Sequence, residues 1–89
     1  MISHTHPRFW KLYEKLPPAI REQAKKQYRI FRNDPYHAGL HFKCVHSSHP
    51  IYSARITRDY RVVGVMNDNT IIWFWVGNHD DYENLLRQM

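Results

Sequence analysis

The stretch from residue 51 to residue 86 constrains the fold of this chain more than any other part of its sequence. Within it, three short segments alternate apolar and polar residues. These segments are residues 51–57, 60–66 and 70–76. Alternation with a period of two predicts β-strands that each bury one face. The residues between the segments, at positions 58–59 and 67–69, are of the types that form tight turns, so the three strands are predicted to form consecutive hairpins.

The third of these strands is expected to lie inside the sheet, because its long apolar run indicates that both of its faces are covered. Gly77 ends that strand, and Asn78 is a suitable N-cap for a helix that begins at His79. Leu85 and Leu86 would pack this short C-terminal helix back onto the sheet.

The first half of the chain has apolar residues at helical spacing in two segments, residues 7–16 and 19–32, which Pro17 and Pro18 separate. The second predicted helix carries a basic stripe, which could bind RNA, dock an acidic partner or simply face solvent. Its members are Arg21, Lys25, Lys26, Arg29 and Arg32. A further strand is predicted at residues 40–45, and residues 1–6 form either an edge strand or a frayed end.

This order of elements predicts one α+β domain that spans residues 1–89. We expect an N-terminal helical hairpin packed on a small antiparallel β-sheet, a meander, with a short C-terminal helix. We also expect the helices to lie on one face of the sheet. A chain of this length buries only about 60–65% of its unfolded surface, so it builds a single core.

The net charge indicates which classes of partner to expect, and the cysteine content indicates the cellular compartment. The formal net charge of +5 favours a polyanion such as nucleic acid, although evenly spread charges would only keep the chain in solution. The single cysteine, Cys44, excludes an intrachain disulfide and indicates a reducing compartment. We find neither a signal-peptide core nor an apolar segment of about 18 residues, and therefore expect a cytosolic protein without a membrane partner.

Basic residues on neighbouring strands form the main candidate site. Residues two apart on a strand share a face, so Lys43, Arg55 and Arg61 would lie side by side on the face away from the helices. Like charges crowded on a sheet repel, which favours an anion site over three solvated or carboxylate-paired side chains.

His79 would stand beside this cluster, at a helix N-terminus that suits phosphate binding. Histidine has an ordinary pKa of about 6.5 and so suits proton transfer near neutral pH. Tyr82, one turn further on, could stack on a base or position a proton, or could simply pack in the core. We expect Arg55, Arg61 and His79 to converge in one pocket.

Additional RNA contacts are predicted around that pocket, from Lys43, His41, Arg58 and Ser53. His46 and His49 form an H-x-x-H pair across a turn, but no further cysteine or acidic ligand adjoins it, which makes a zinc site a weak prediction. We predict no metal and no cofactor.

Two stretches of the chain resemble a known protein family. The run YSARITRDYRVVGVMNDNTIIWFWVGNHDDYENLL is similar to the second half of RelE/ParE-type toxins of bacterial toxin–antitoxin pairs. The shared pattern is a tyrosine-led basic strand, a turn, an arginine before an apolar strand, a second apolar strand, then glycine, histidine and a nearby tyrosine. The upstream run PPAIREQAKKQYRIFRNDP is similar to the second helix of that family.

The resemblance implies a microbial-RNase-like fold and, in the RelE branch, cleavage of mRNA in the ribosomal A site. Arg61 matches the phosphate-stabilising arginine of the family, and Arg55 matches a basic residue on the preceding strand. His79 falls where branches of the family place a catalytic arginine or histidine, and Tyr82 lies near the tyrosine. Ser53 departs from the pattern, because the type enzyme has a second lysine there.

The resemblance also implies partners: a cognate antitoxin, mRNA and the ribosome. The expected function is therefore a metal-independent mRNA endoribonuclease that inhibits translation. The main rival is the ParE branch, which poisons DNA gyrase without an RNase site. A non-enzymatic basic module that binds nucleic acid is the third possibility.

Overall fold

The computed structural model describes residues 1–89. Its strands are Ile2–Thr5 (β1), Lys43–Cys44 (β2), Ile51–Thr57 (β3), Tyr60–Asn67 (β4) and Thr70–Asn78 (β5). Its α-helices are Pro7–Tyr13 (α1), Pro18–Asn33 (α2) and His79–Gln88 (α3), and Ala38–Leu40 form a 3-10 helix.

The five strands form one sheet in the order β1-β5-β4-β3-β2. Strands β2 to β5 make the predicted antiparallel meander, and β5 lies inside the sheet as expected. The N-terminal strand makes the sheet mixed, because β1 pairs parallel with β5 from Ile2 opposite Thr70 to Thr5 opposite Trp73. The predicted α+β class is confirmed, with one parallel strand added at its edge.

The first two helices each begin at a proline. Helix α2 has Pro18 in its first turn, close to the predicted start, and ends at Asn33. Helix α1 ends at Tyr13, earlier than predicted, and a tight turn follows in which the Leu16 N–H donates to the Tyr13 carbonyl at 3.1 Å. None of the helices combines the length and apolar character needed to cross a membrane.

The predicted strand at residues 40–45 is wrong at most of its positions. Only Lys43 and Cys44 pair as a strand. Leu40 belongs to the 3-10 helix and is buried, and His41 has a left-handed backbone with φ of 48°. A left-handed residue cannot continue an extended strand, so pairing begins only after it.

The main core lies between the helical hairpin and one face of the sheet, which we call the hairpin face. Helix α1 packs on β5 and helix α2 packs on β3. The buried members are Phe9, Leu16, Phe31, Leu40, Phe42, Ala54, Ile56, Ile71, Trp73 and Val76. This sandwich of aromatic and aliphatic side chains is the largest apolar cluster in the domain.

The expectation that all helices share one face is wrong for α3. Helix α3 packs on the opposite face of the sheet, the α3 face, where Tyr82 joins Val63 and Trp75 in a second buried cluster. Leu85 and Leu86 are partly buried against the same cluster, as predicted. The face that carries the basic residues is therefore partly covered by a helix.

A β-bulge makes two cores possible. Val63 pairs with Trp75 and Gly64 pairs with Trp73, so Phe74 has no partner on β4. Trp73 and Trp75 would share a face on a regular strand, but the extra residue places Trp73 in the hairpin core and Trp75 under α3.

Candidate functional site

Two arginines lie opposite each other on the α3 face, close to the turn between β3 and β4. Arg55 on β3 pairs directly with Arg61 on β4, and Arg61 pairs in turn with Gly77 on β5. We call these three residues the arginine row. Directly opposed like charges destabilise a strand pair, so a structural role alone does not account for this placement.

Lys43 lies in the neighbouring row. It pairs with Ser53, which pairs with Val63 on the other side. Because Ser53 is two residues from Arg55 on β3, Lys43 is displaced from the arginine row by about 7 Å along the strand. Lys43 thus lies near the arginines on the sheet, but it is not their direct neighbour.

The guanidinium of Arg61 is partly enclosed beneath α3, on a residue of intermediate exposure. Its central carbon lies 5.5 Å from the centre of the Tyr82 ring, within range of a cation–π interaction. Its Nε and Nη1 atoms are buried, and no protein group accepts a hydrogen bond from them. Buried charged donors without partners are rare in folded proteins because their desolvation is not compensated.

A hydrogen bond fixes the backbone of Arg55, whereas its side chain is partly exposed. Its carbonyl accepts a hydrogen bond from Gln27 Nε2 at 2.9 Å, which ties β3 to α2. Its Nη1 atom lies 3.5 Å from Nε2 of His41. The only ion pairs in the chain are Lys25–Glu22 and His79–Glu83, so neither arginine of the row is neutralised by a carboxylate.

His79 is the first residue of α3, as predicted, and its backbone N–H donates to the Asp59 carbonyl at 2.7 Å. Its Nε2 atom lies 3.3 Å from a carboxylate oxygen of Glu83, and both side chains are about half exposed. Asn78 caps the helix by accepting from the Asp81 N–H at 2.8 Å. The imidazole is therefore accessible and has one fixed acidic neighbour.

Tyr82 on α3 and Ser53 on β3 are hydrogen-bonded to each other between the helix and the sheet. The Tyr82 hydroxyl donates to Ser53 Oγ at 3.2 Å, and the two residues are 5% and 0% exposed. Neither side chain is accessible to a large ligand in this conformation. The RNA contact of Ser53 and the chemical role of Tyr82 stay predictions, on two side chains that are buried against each other.

Two cavities of the domain do not bring all the predicted residues together. A cavity of about 650 Å³ opens on the hairpin face between α1 and α2, with Arg55 among its lining residues. A polar cavity of about 480 Å³ at the start of α3 is lined by Arg58, Asp59, Asn78, His79 and Asp80. Arg61 lines neither of them, so the expected convergence of Arg55, Arg61 and His79 in one pocket is not observed in these two cavities.

Three residues that support the site were not predicted. Glu83 contacts His79 across one helical turn, and its i+4 spacing was the signal that could have found it. Gln27 fixes Arg55, and the Trp75 ring lies across Gly77 at the end of the arginine row. The Gln27 contact comes from packing of α2 on β3, for which the sequence holds no local signal, whereas Trp75 and Gly77 are two residues apart on β5 and so share one face of that strand.

No group of three or more histidine, cysteine, aspartate or glutamate side chains is arranged to hold a metal ion. His46 and His49 lie close together, with ring centres 4.9 Å apart. The Nδ1 atom of His46 already accepts from the N–H groups of Ser48 and His49, at 3.1 Å each. The geometry of this turn is thus explained by hydrogen bonds within it.

A family model for the ParE-like toxin domain matches residues 18–84 of the chain. The chain belongs to the ParE-like toxin domain family. The resemblance to RelE/ParE toxins is thereby confirmed over α2, the meander and most of α3. A comparison with curated proteins finds no match.

Solved structures show that the fold of this toxin domain is shared with RelE-type toxins. A RelB–RelE antitoxin–toxin complex from Methanococcus jannaschii matches with a TM-score of 0.75 and 22% identity, over 92% of this chain and 96% of that one. The isolated RelE toxin of E. coli matches at 0.66 and 21%, over 99% and 98%. YafQ from E. coli matches at 0.71 and 14%, over 90% and 94%.

Proposed function

We propose that this toxin domain is a metal-independent endoribonuclease that cleaves mRNA on the ribosome, in the cytoplasm, and so inhibits translation. The observation that carries the proposal is the arginine row: Arg55 and Arg61 are opposed across two strands, and no carboxylate neutralises either of them. Two concentrated positive charges without internal counter-ions favour a phosphodiester as their partner.

The proposed reaction is an internal transfer of the phosphoryl group. The ribose 2′-oxygen attacks the adjacent phosphorus, and the bond from phosphorus to the 5′-oxygen of the next nucleotide breaks. A proton leaves the 2′-hydroxyl and another reaches the 5′-oxygen, which yields a 2′,3′-cyclic phosphate and a 5′-hydroxyl. His79, exposed at the start of α3, is the group we assign to one of these two proton transfers.

The arginine row would stabilise the transition state. Negative charge builds up on the equatorial oxygens of the phosphorus during attack, and a preorganised guanidinium stabilises that charge strongly in a water-poor site. Arg61 is the better placed for this role because it is the more enclosed, whereas Lys43, His41 and Arg58 would bind the flanking backbone. These protein cations supply charge that a metal ion supplies in other nucleases.

The direct test is cleavage of a synthetic messenger in a reconstituted translation system, with and without ribosomes. The unmodified protein should release fragments that end in a 2′,3′-cyclic phosphate, and a protein with Arg61→Gln should not. If the unmodified protein leaves RNA intact under both conditions but remains toxic in cells, the nuclease assignment is wrong.

Inhibition of DNA gyrase is the second candidate, and the match to a ParE-like family model favours it. A gyrase poison traps cleaved DNA and induces the SOS response, whereas an RNase removes intact message. Supercoiling by purified gyrase in the presence of this protein distinguishes the two. Full supercoiling activity together with RNA cleavage supports the nuclease.

The proposed partner is a cognate antitoxin, because one structural neighbour is described as an antitoxin–toxin complex. We expect a small protein that is acidic or carries an amphipathic helix and that covers the basic face of the toxin. Its gene is expected beside that of the toxin. Co-expression with the product of the adjacent reading frame should restore growth and yield a complex that co-purifies.

A further inference from the structure

The proposed cleavage needs two proton transfers, and His79 accounts for only one of them. In a transfer of a phosphoryl group, the attacking and leaving oxygens lie roughly in line on opposite sides of the phosphorus. The group that takes one proton and the group that supplies the other therefore approach from opposite ends of the bound phosphate. A second proton-transfer group is expected at the end of the arginine row that lies away from His79.

His41 lies at that end of the row. Lys43 pairs with Ser53 across β2 and β3. His41 comes two residues before Lys43, and Arg55 comes two residues after Ser53, so in antiparallel register His41 stands level with Arg55. The contact between the two side chains agrees with this placement, because Nε2 of His41 lies 3.5 Å from Nη1 of Arg55. His41 is exposed and so can be reached from solvent.

The two histidines flank the arginine row from opposite sides. His79 stands two residues after Gly77, where the row ends on β5, and its side chain is 49% exposed. His41 stands beyond β3, at the other end. Adjacent strands are about 4.8 Å apart, so the two arginine-bearing strands separate the backbone positions of the histidines. A phosphate bound by both guanidinium groups would lie between the two imidazoles.

The hydrogen-bond partners of the two imidazoles differ in kind. A guanidinium only donates, so the Nε2 atom of His41 presents its lone pair to Arg55. A carboxylate only accepts, so the Nε2 atom of His79 carries a proton towards Glu83. The first imidazole is therefore arranged to take up a proton, and the second is arranged to give one up.

We propose that His41 is the general base of the cleavage and His79 its general acid. Nε2 of His41 takes the proton of the 2′-hydroxyl as the 2′-oxygen bonds to phosphorus, after Arg55 has turned to the phosphate. The bond from phosphorus to the 5′-oxygen breaks, and that oxygen receives the proton from Nε2 of His79. His41 then returns one proton to solvent and His79 regains one. This inference rests on the proposed function and assigns the second catalytic group of the same site.

The experiment uses a synthetic messenger in which sulfur replaces the 5′-bridging oxygen at the bond that the unmodified protein cleaves. A thiolate leaves without receiving a proton, so the sulfur substrate needs a general base but no general acid. Single-turnover cleavage of the oxygen and sulfur substrates is measured in the reconstituted translation system, with the unmodified protein, His41→Gln and His79→Gln. The matched control is His4→Gln, which changes an exposed histidine beside the cavity on the hairpin face.

The choice of glutamine separates proton transfer from positioning. Glutamine at residue 41 can still accept a hydrogen bond from Arg55, so His41→Gln keeps that contact and removes only the transfer of a proton. His41→Asn is the second variant, because asparagine tolerates the left-handed backbone of residue 41, where φ is 48°. Thermal unfolding of each variant establishes that it is folded.

His41→Gln should cleave both substrates about 10²–10⁴-fold more slowly than the unmodified protein, whereas His79→Gln should be slow only on the oxygen substrate. His4→Gln should cleave both at the unmodified rate. Folded His41→Gln and His41→Asn proteins that retain the unmodified rate overturn the role of His41, and so does rescue of His41→Gln by sulfur. If the unmodified protein cleaves neither substrate, the nuclease assignment itself fails and the histidine pair fails with it.

Discussion

The indole ring of Trp75 lies across Gly77, so that a Cβ atom at residue 77 would stand 2.8 Å from two of its ring carbons. Trp75 is itself buried under α3 and cannot withdraw freely. The absence of a side chain at residue 77 is therefore what allows the tryptophan to close the end of the arginine row.

Gly77→Ala should therefore destabilise the domain. Overpacking of a buried ring costs about 1–3 kcal/mol. A loss of 1 kcal/mol lowers the melting temperature of a domain of this size by about 4–8 °C, which thermal unfolding followed by circular dichroism would measure. Gly39→Ala is the matched control, because a Cβ there meets only His37 side-chain atoms at 3.4 Å or more. Equal melting temperatures for the two variants would contradict the packing argument.

Arg61→Gln should abolish RNA cleavage while the protein stays folded. Loss of one transition-state cation typically costs about 10²–10³ in rate. Folding should not suffer, because the substitution removes two buried nitrogen donors that have no hydrogen-bond acceptor. Single-turnover cleavage and thermal unfolding are measured together, with Arg8→Gln on exposed α1 as the control. A folded Arg61→Gln protein with full activity would refute the assignment of Arg61.

His79→Gln should slow cleavage by about 10²–10⁴-fold, because glutamine keeps hydrogen-bonding capacity but cannot transfer a proton near neutral pH. Glu83→Gln separates proton transfer from mere positioning, since it removes the charge of the group 3.3 Å from the imidazole and leaves the imidazole in place. We expect a smaller effect from Glu83→Gln in the same single-turnover assay. Unchanged cleavage by His79→Gln would exclude this residue from the chemistry.

Asn78→Ala should loosen α3 without disturbing the sheet. It removes the cap on the Asp81 N–H, which is generally worth about 0.5–2 kcal/mol. Faster hydrogen exchange is expected in α3 and not in β4 or β5. Asn84→Ala, on the exposed side of the same helix, is the control. If the two variants exchange alike, the cap does not hold the helix on the sheet.

The sequence by itself determined the elements with strong local patterns. Alternation over residues 51–76 predicted three strands, and Asn78 predicted the start of α3. The prolines at 17 and 18 predicted the boundary between α1 and α2. The same period of two put Arg55 and Arg61 on one face of adjacent strands, which is a matter of backbone geometry alone.

Only the tertiary structure decided what covers that face. The apolar stripe on α3 predicts that the helix packs on the sheet, but it does not predict on which face of the sheet. The bulge at Phe74 turns Trp75 towards α3, and the left-handed backbone at His41 ends the 3-10 helix with its N–H donated to the Ala38 carbonyl. The packing of the Tyr82 ring against the Arg61 guanidinium joins α3 to β4, and no period or motif in the sequence encodes it.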